Sequence, residues 1–195
     1  MGNVDFTKMK WVHRPHLYIC DSYRLTIETQ PYTYCHEAKE NQRGAEIQTA
    51  LKGNFIFTLC TEFVYDKPFD QCGFILYNGD VQKAIVCTEK KDEEYLRLGV
   101  NVFCQDGGDM SMRDVGAALG RIFYRVIYRA GACLIQYSFA GTRYTDLREF
   151  HVNETGITAV SLFACSPNDS VFDCTFCEAN ISEDGKIEAE KENER

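Results

Sequence analysis

The chain has 195 residues, 45% of them hydrophobic and 13% aromatic, with a formal net charge of −8. That apolar share is enough for a sizeable core and excludes a disordered chain. The acidic balance lacks the basic footprint that neutralises nucleic-acid phosphates, and it argues against docking on an anionic membrane leaflet.

The amino end, Met1-Gly2-Asn3-Val4-Asp5-Phe6-Thr7, carries no basic stretch followed by an apolar run, so no secretory signal is expected. Gly2 and Thr7 miss the myristoylation spacing by one position, and no apolar run reaches the length of a membrane span. These readings place the protein in the cytoplasm, with its ten cysteines as reduced thiols. Cys60, Cys72, Cys87, Cys104, Cys133, Cys165 and Cys174 fall in or beside apolar strand-like runs, as small hydrophobes do. Cys174 and Cys177 form a C-x-x-C, but three positions along a strand put two side chains on opposite faces. No second pair follows at zinc-ligand spacing, so no metal site is assigned.

In chain order, 23–29 reads as a strand and 31–44 as a long polar loop. From residue 53 onward period-two alternation dominates, which is the strand signal. Phe55, Phe57, Leu59, Thr61 and Phe63 share one face of the first long run. A second run, 71–77, stops at Asn78-Gly79-Asp80, a strong hairpin signal, so a third run over 81–89 pairs antiparallel with it. Charged residues 90–94 make the next turn. Further strands are expected over 95–105, 121–129, 133–138, 159–165 and 171–181, with a short helical turn over 114–119. Gly107-Gly108 reads as a flexible loop in which Asp106 and Asp109 offer oxygens to a cation. Ten or so short strands without a long amphipathic helix define an all-β sandwich or barrel. It forms one domain over 1–181, followed by a charged, solvated tail over 182–195.

Several segments, taken together in order, carry a family resemblance. They are Gly53-Asn54-Phe55, Asp70-Gln71-Cys72-Gly73-Phe74, Lys83, Glu89, Gly108-Asp109-Met110-Ser111, the run 121–129, Tyr137-Ser138, Leu147-Arg148 and Ala164-Cys165-Ser166-Pro167. This set resembles the YesU-like family, also labelled "regulation of enolase", over roughly residues 11–181. The resemblance implies a two-sheet antiparallel jelly-roll sandwich of the concanavalin-A-like lectin and glucanase type. The chain departs from the family pattern where Gln82 and Met110 replace usual tryptophans, and Ala45 replaces a frequent histidine.

In jelly rolls of this type the concave sheet is the usual ligand surface. By parity Lys83, Ile85, Cys87 and Glu89 share one face of the third run, with Lys83 and Glu89 about 20 Å apart. Each then needs a partner on a neighbouring strand, and Gln71, Arg125 and Tyr137 are the candidates. Lys83, Glu89, Gln71 and Arg125 also match the family pattern. Arg121, Arg125 and Arg129 alternate against Ile122, Tyr124, Val126 and Tyr128, whose face should be buried. Such charges are equally what the wet side of a half-buried sheet presents. Arg148 is expected at a rim or packed on Tyr144.

Catalytic signatures are missing. A glycosidase needs two carboxyls across the scissile bond, ~5–9.5 Å apart, and no strand carries an acidic pair on one face in mid-strand. None of the four histidines sits beside a glycine-flanked serine, there is no G-x-S-x-G elbow, and no phosphate loop follows a strand. The reading is a non-catalytic binding module without cofactor. Its expected ligand is a carbohydrate held by Gln71, Lys83, Glu89, Arg125 and Tyr137. The alternative is a protein-interaction or regulatory domain, with a glycoside hydrolase or lyase behind both.

Overall fold

The computed structural model describes residues 2–35, 42–104, 107–152 and 156–183. Among these residues fifteen strands, numbered in chain order, form two antiparallel sheets. The eight-stranded sheet runs β13 (Thr145–His151), β12 (Ala132–Ser138), β11 (Arg121–Arg129), β6 (Phe55–Phe63), β15 (Asp173–Glu183), β4 (Arg24–Glu28) and β3 (Tyr18–Cys20), with β1 (Gly2–Asn3) also on β15. The seven-stranded sheet runs β10 (Gly107–Gly116), β9 (Tyr95–Cys104), β8 (Val81–Lys90), β7 (Gln71–Asn78), β14 (Ala159–Cys165), β5 (Ala45–Ala50) and β2 (Lys10–His13). Among the described residues the helical content is one 3-10 turn, Phe6–Lys8, and no helix is long and apolar enough to cross a membrane.

Alternation explains the core. Ile122, Tyr124, Val126 and Tyr128 of β11 all point into the sandwich, leaving Arg121, Arg125 and Arg129 on the other side, as parity required. Phe74 of β7 meets Phe57 edge-on at 5.7 Å and Tyr124 at 5.6 Å, so three rings join the two sheets. The Tyr124 hydroxyl lies 2.7 Å from Thr88 Oγ1 of β8, which satisfies two polar groups in a fully buried place. At one mouth of the sandwich Arg113 Nη1 donates to Tyr137 Oη at 2.8 Å, and Arg148 bonds Ser111 and Asp109. These contacts tie the edge strand β10 to β12 and β13 of the other sheet.

The β7–β8 hairpin falls at the expected place, shifted by one residue. Asn78 pairs with Val81, so Gly79 and Asp80 form the loop, and Gly79 takes the positive φ of +57°. Gly73 has a different reason to be glycine. A Cβ there would lie 2.0 Å from the Val86 carbonyl oxygen of β8.

Four expectations are corrected. The segment 114–119 holds no helical turn, because β10 continues to Gly116. Gly107-Gly108 opens that strand, Asp109 is engaged by Arg148, and Asp106 lies outside the described residues. Arg148 reaches β10 rather than Tyr144, whose ring instead faces Arg125. β15 extends two residues past the expected boundary, with Ser182 and Glu183 paired to Ile56 and Phe55, and the rest of the tail lies outside the described residues. The strands not foreseen are mostly short or at sheet edges, where both faces meet solvent and alternation carries no apolar signal.

Replacing Phe74 by alanine should lower the unfolding free energy by about 3–5 kcal/mol. Tyr124→Phe, which leaves the buried Thr88 hydroxyl without its partner, should cost about 1–3 kcal/mol. Urea denaturation of both variants checks the order, and a smaller loss for Phe74→Ala would show that the three rings are not the main clasp.

Candidate functional site

The face of the seven-stranded sheet turned away from the core is not simply a wet surface. Ile75, Tyr77, Ile85, Cys87, Ala159, Phe163 and Cys165 form a second buried cluster there, with Cys35 and Phe103 packed on it. Polar groups border this apolar floor on both sides. Toward β5, Tyr77 Oη donates to Glu46 Oε1 at 2.7 Å and accepts from Gln82 Nε2 at 3.2 Å. Burial pushes the Tyr77 hydroxyl above its usual pKa; Gln82 opposes the rise and Glu46 adds to it.

Toward β10 the face carries a line of charge. Arg97 reaches Glu89 at 3.4 Å on one side and Asp114 at 3.7 Å on the other, and Lys91 holds Asp114 at 2.6 Å. Burial raises the Glu89 carboxyl above its usual pKa while Arg97 pulls it back down. Asp114 is lowered, chiefly by its hydrogen bond from Lys91. Between the two groups sits Asn101, paired in register with Ile85 and Met110, and its buried Oδ1 has no hydrogen-bond partner among the described residues.

The five residues singled out from the sequence do not converge. Gln71 and Glu89 are direct cross-strand partners on β7 and β8, and both stand on this outer face. Gln71 accepts from the Cys35 thiol at 3.6 Å. Lys83 falls at a β-bulge: Leu76 pairs with Ala84 but Tyr77 with Gln82, so the parity that joined Lys83 to Glu89 is broken and Gln82 meets Tyr77 instead. Tyr137 is buried in the core between the sheets. Arg125 belongs to the eight-stranded sheet, where its guanidinium lies 4.1 Å from the Tyr144 ring and its Nε donates to Gln136 Oε1 at 2.7 Å. It lines a cleft of about 640 Å³ with Thr58, Phe123 and Glu178.

Sequence reasoning missed Arg97, Asp114, Glu46 and Tyr77. Arg97 was within reach, because a tight turn after Lys90 pairs Glu89 with Arg97 directly. Asp114 was hidden by the helical reading of its segment, and Glu46 lies on a strand that gave no alternation signal.

The carboxyls on this face are poorly placed for glycoside hydrolysis. Glu89 and Asp114, on strands two apart, are both engaged by the same Arg97 guanidinium, so neither stands free to act on a scissile bond. Glu46 is three strand spacings from the β8 register of Cys87, roughly 15 Å at ~4.8 Å per strand.

The family model described as "Protein of unknown function (DUF1349)" matches residues 11–184. No curated protein matches the chain. Among solved structures, a functionally unknown protein from Saccharomyces cerevisiae superposes with a TM-score of 0.77 at 19% identity, covering 92% of this chain and 98% of that one. The alginate lyase from Klebsiella pneumoniae gives 0.63 at 8% identity over 84% and 82%. A legume lectin-like domain from Entamoeba histolytica gives 0.60 at 11% over 91% and 90%. The jelly-roll sandwich of the lectin and glucanase type, expected from the sequence, is the fold these structures share with this chain.

Arg97 is the cation that lowers the Glu89 carboxyl, so Arg97→Gln should move the Glu89 titration midpoint further up. Carboxyl-detected NMR titration of wild type and variant measures this, and an unmoved or lowered midpoint would break the assigned pairing. The linked effect on stability has the matching sign. A carboxyl raised in the folded state contributes stability below its unfolded pKa and loses it as pH climbs through the folded value.

Proposed function

This chain belongs to the family of unknown function (DUF1349), and on that footing we propose that it is a non-catalytic module that binds a carbohydrate on the outer face of its seven-stranded sheet. The observation that carries the reading is the fixed array of polar side chains on that face. Glu46, Tyr77 and Gln82 on one side, and Glu89, Arg97 and Asp114 on the other, are held by mutual hydrogen bonds and ion pairs around a buried apolar floor. A polyhydroxylated ligand is recognised by such preset donors and acceptors. Asn101 Oδ1 adds a buried acceptor with no donor of its own among the described residues. The fold likeness to a lectin-like domain and to an alginate lyase supports a saccharide as the ligand class.

Gln71 and Glu89 are the contacts retained from the sequence reading, joined by Arg97 and Gln82. Lys83 sits beside them at the bulge and serves at the margin. Arg125 and Tyr137 take no part, since one is on the opposite sheet and the other is in the core. Arg97 between the two carboxylates is the reason for preferring binding to hydrolysis.

A protein-interaction or regulatory role, in line with the enolase-regulation label, is the second reading. It draws on Ile19, exposed on the short edge strand β3, and on the neighbouring exposed Leu17 and Tyr23. An apolar sheet edge is a place where another chain can pair.

A glycan array of neutral and acidic oligosaccharides, followed by calorimetric titration of the best ligand, tests the first reading. Glu89→Gln should weaken binding about ten- to hundred-fold, the worth of a charge-assisted hydrogen bond at ~1.5–3 kcal/mol, and Gln71→Ala about two- to tenfold, that of a neutral one at ~0.5–1.5 kcal/mol. Arg125→Ala should leave it unchanged. No glycan bound at all would overturn the ligand class. Equal binding by the first two variants would overturn the site. Capture of a protein partner that is lost in Ile19→Asp, without any glycan binding, would support the second reading.

A further inference from the structure

The eight-stranded sheet carries a second cluster, on its own outward face and remote from the proposed sugar site. Cys60 of β6 and Cys177 of β15 are direct cross-strand partners. The two sulfurs and a carboxylate oxygen of Glu178 all lie within 4.8 Å of one another. We propose that Cys60, Cys177 and Glu178 form a binding site for a thiophilic transition-metal ion of the zinc(II) type, with a fourth position open to an exogenous ligand.

Two thiols and one carboxylate are a donor set suited to zinc, and three protein ligands with one open position is the arrangement of an accessible rather than a purely structural site. Tetrahedral coordination at Zn–S ~2.3 Å puts two sulfurs about 3.8 Å apart. The observed spacing therefore needs only side-chain adjustment, with no movement of the strands.

The backbone supplies an independent argument. Consecutive residues of a strand point to opposite faces, so the residue after Cys177 should enter the core. It does not. β15 bulges between Cys177 and Asn180, Glu178 takes a left-handed φ of +49°, and Ala179 turns inward into the core in its place. Cys177 and Glu178 thus share the outward face. A non-glycine residue in that region is strained, and glycine or asparagine would occupy it at lower cost. Packing gives no reason for glutamate, whose side chain is exposed. Re-aiming a side chain beside a functional site is what such bulges do.

The surroundings agree. Glu178 borders two clefts, one of about 670 Å³ and one of about 640 Å³, and Cys177 lines the first with it, so that cleft is the approach to the open position. A zinc ion with two thiolates and a carboxylate carries a net negative charge. Arg24, the register partner of Cys177 and ion-paired with Glu62, lines the first cleft; Arg121 and Arg125 line the second. Nothing in the sequence pointed here, since Cys60 is more than a hundred residues away and the C-x-x-C pairs Cys177 with Cys174, which faces the core.

The test uses the full chain kept reduced with a phosphine and titrated with cobalt(II), whose thiolate charge-transfer and tetrahedral d–d bands report the ligands, then with zinc(II) in competition. Wild type should bind one equivalent with thiolate bands that zinc displaces. Cys60→Ser and Cys177→Ser should abolish the bands, and Glu178→Gln should weaken binding at least about tenfold. Cys133→Ser, at a core position, should bind as wild type does. Glu178 is exposed, so its variants fold irrespective of the thiols. Glu178→Gly should raise the melting temperature of the metal-free protein while weakening cobalt binding. Absence of thiolate bands in wild type would overturn the proposal, as would unchanged bands and affinity in Cys177→Ser and Glu178→Gln.

Discussion

The two sheets depend on one clasp. Phe74 of the seven-stranded sheet inserts between Phe57 and Tyr124 of the other, and the Tyr124 hydroxyl returns across the core to Thr88. Offset and edge-on ring contacts are directional, so they set the relation of the sheets as well as burying apolar area. The hydrogen bond adds a penalty for any slip that would separate Tyr124 from Thr88 in a place without water. Once this relation is set, alternation decides which residues of every central strand are core and which face outward.

Where alternation is interrupted, chemistry collects. At the β7–β8 bulge Gln82 comes to Tyr77, which in turn bonds Glu46, while Lys83 loses the parity that put it on one face with Glu89. At the β15 bulge Glu178 is brought to the same face as Cys177. Both irregularities carry polar or ligating side chains to a surface that regular pleating would deny them. The two outward faces differ accordingly: one presents charges around an apolar floor, the other a thiol pair between clefts lined by arginine.

The central strands were legible because they are buried on one or both faces. The runs over 121–129 and 159–165 match β11 and β14 residue for residue. Edge strands were not. Gly107–Gly116 alternates only exposed and half-exposed residues, and its meaning comes from the neighbours it pairs with. The candidate site residues followed the same division. Gln71, one of three candidates for a partner of Lys83 or Glu89, is the register partner of Glu89, and each of the two lies on a strand with a clear pattern. Arg125 and Tyr137 were foreseen as neighbours of those two and are not, since parity reports the face of a strand but not the sheet or the side of the core to which that face belongs.

The all-β class, the hairpin at Asn78-Gly79-Asp80 and the inward face of β11 were therefore determined by the sequence alone, through period-two patterning and local turn chemistry. Tertiary structure decided which charges meet. Arg97 came to lie between Glu89 and Asp114, and Cys60 opposite Cys177, because of strand order and register. Those depend on contacts between residues distant in the chain, and a bulge of one residue is enough to reverse them.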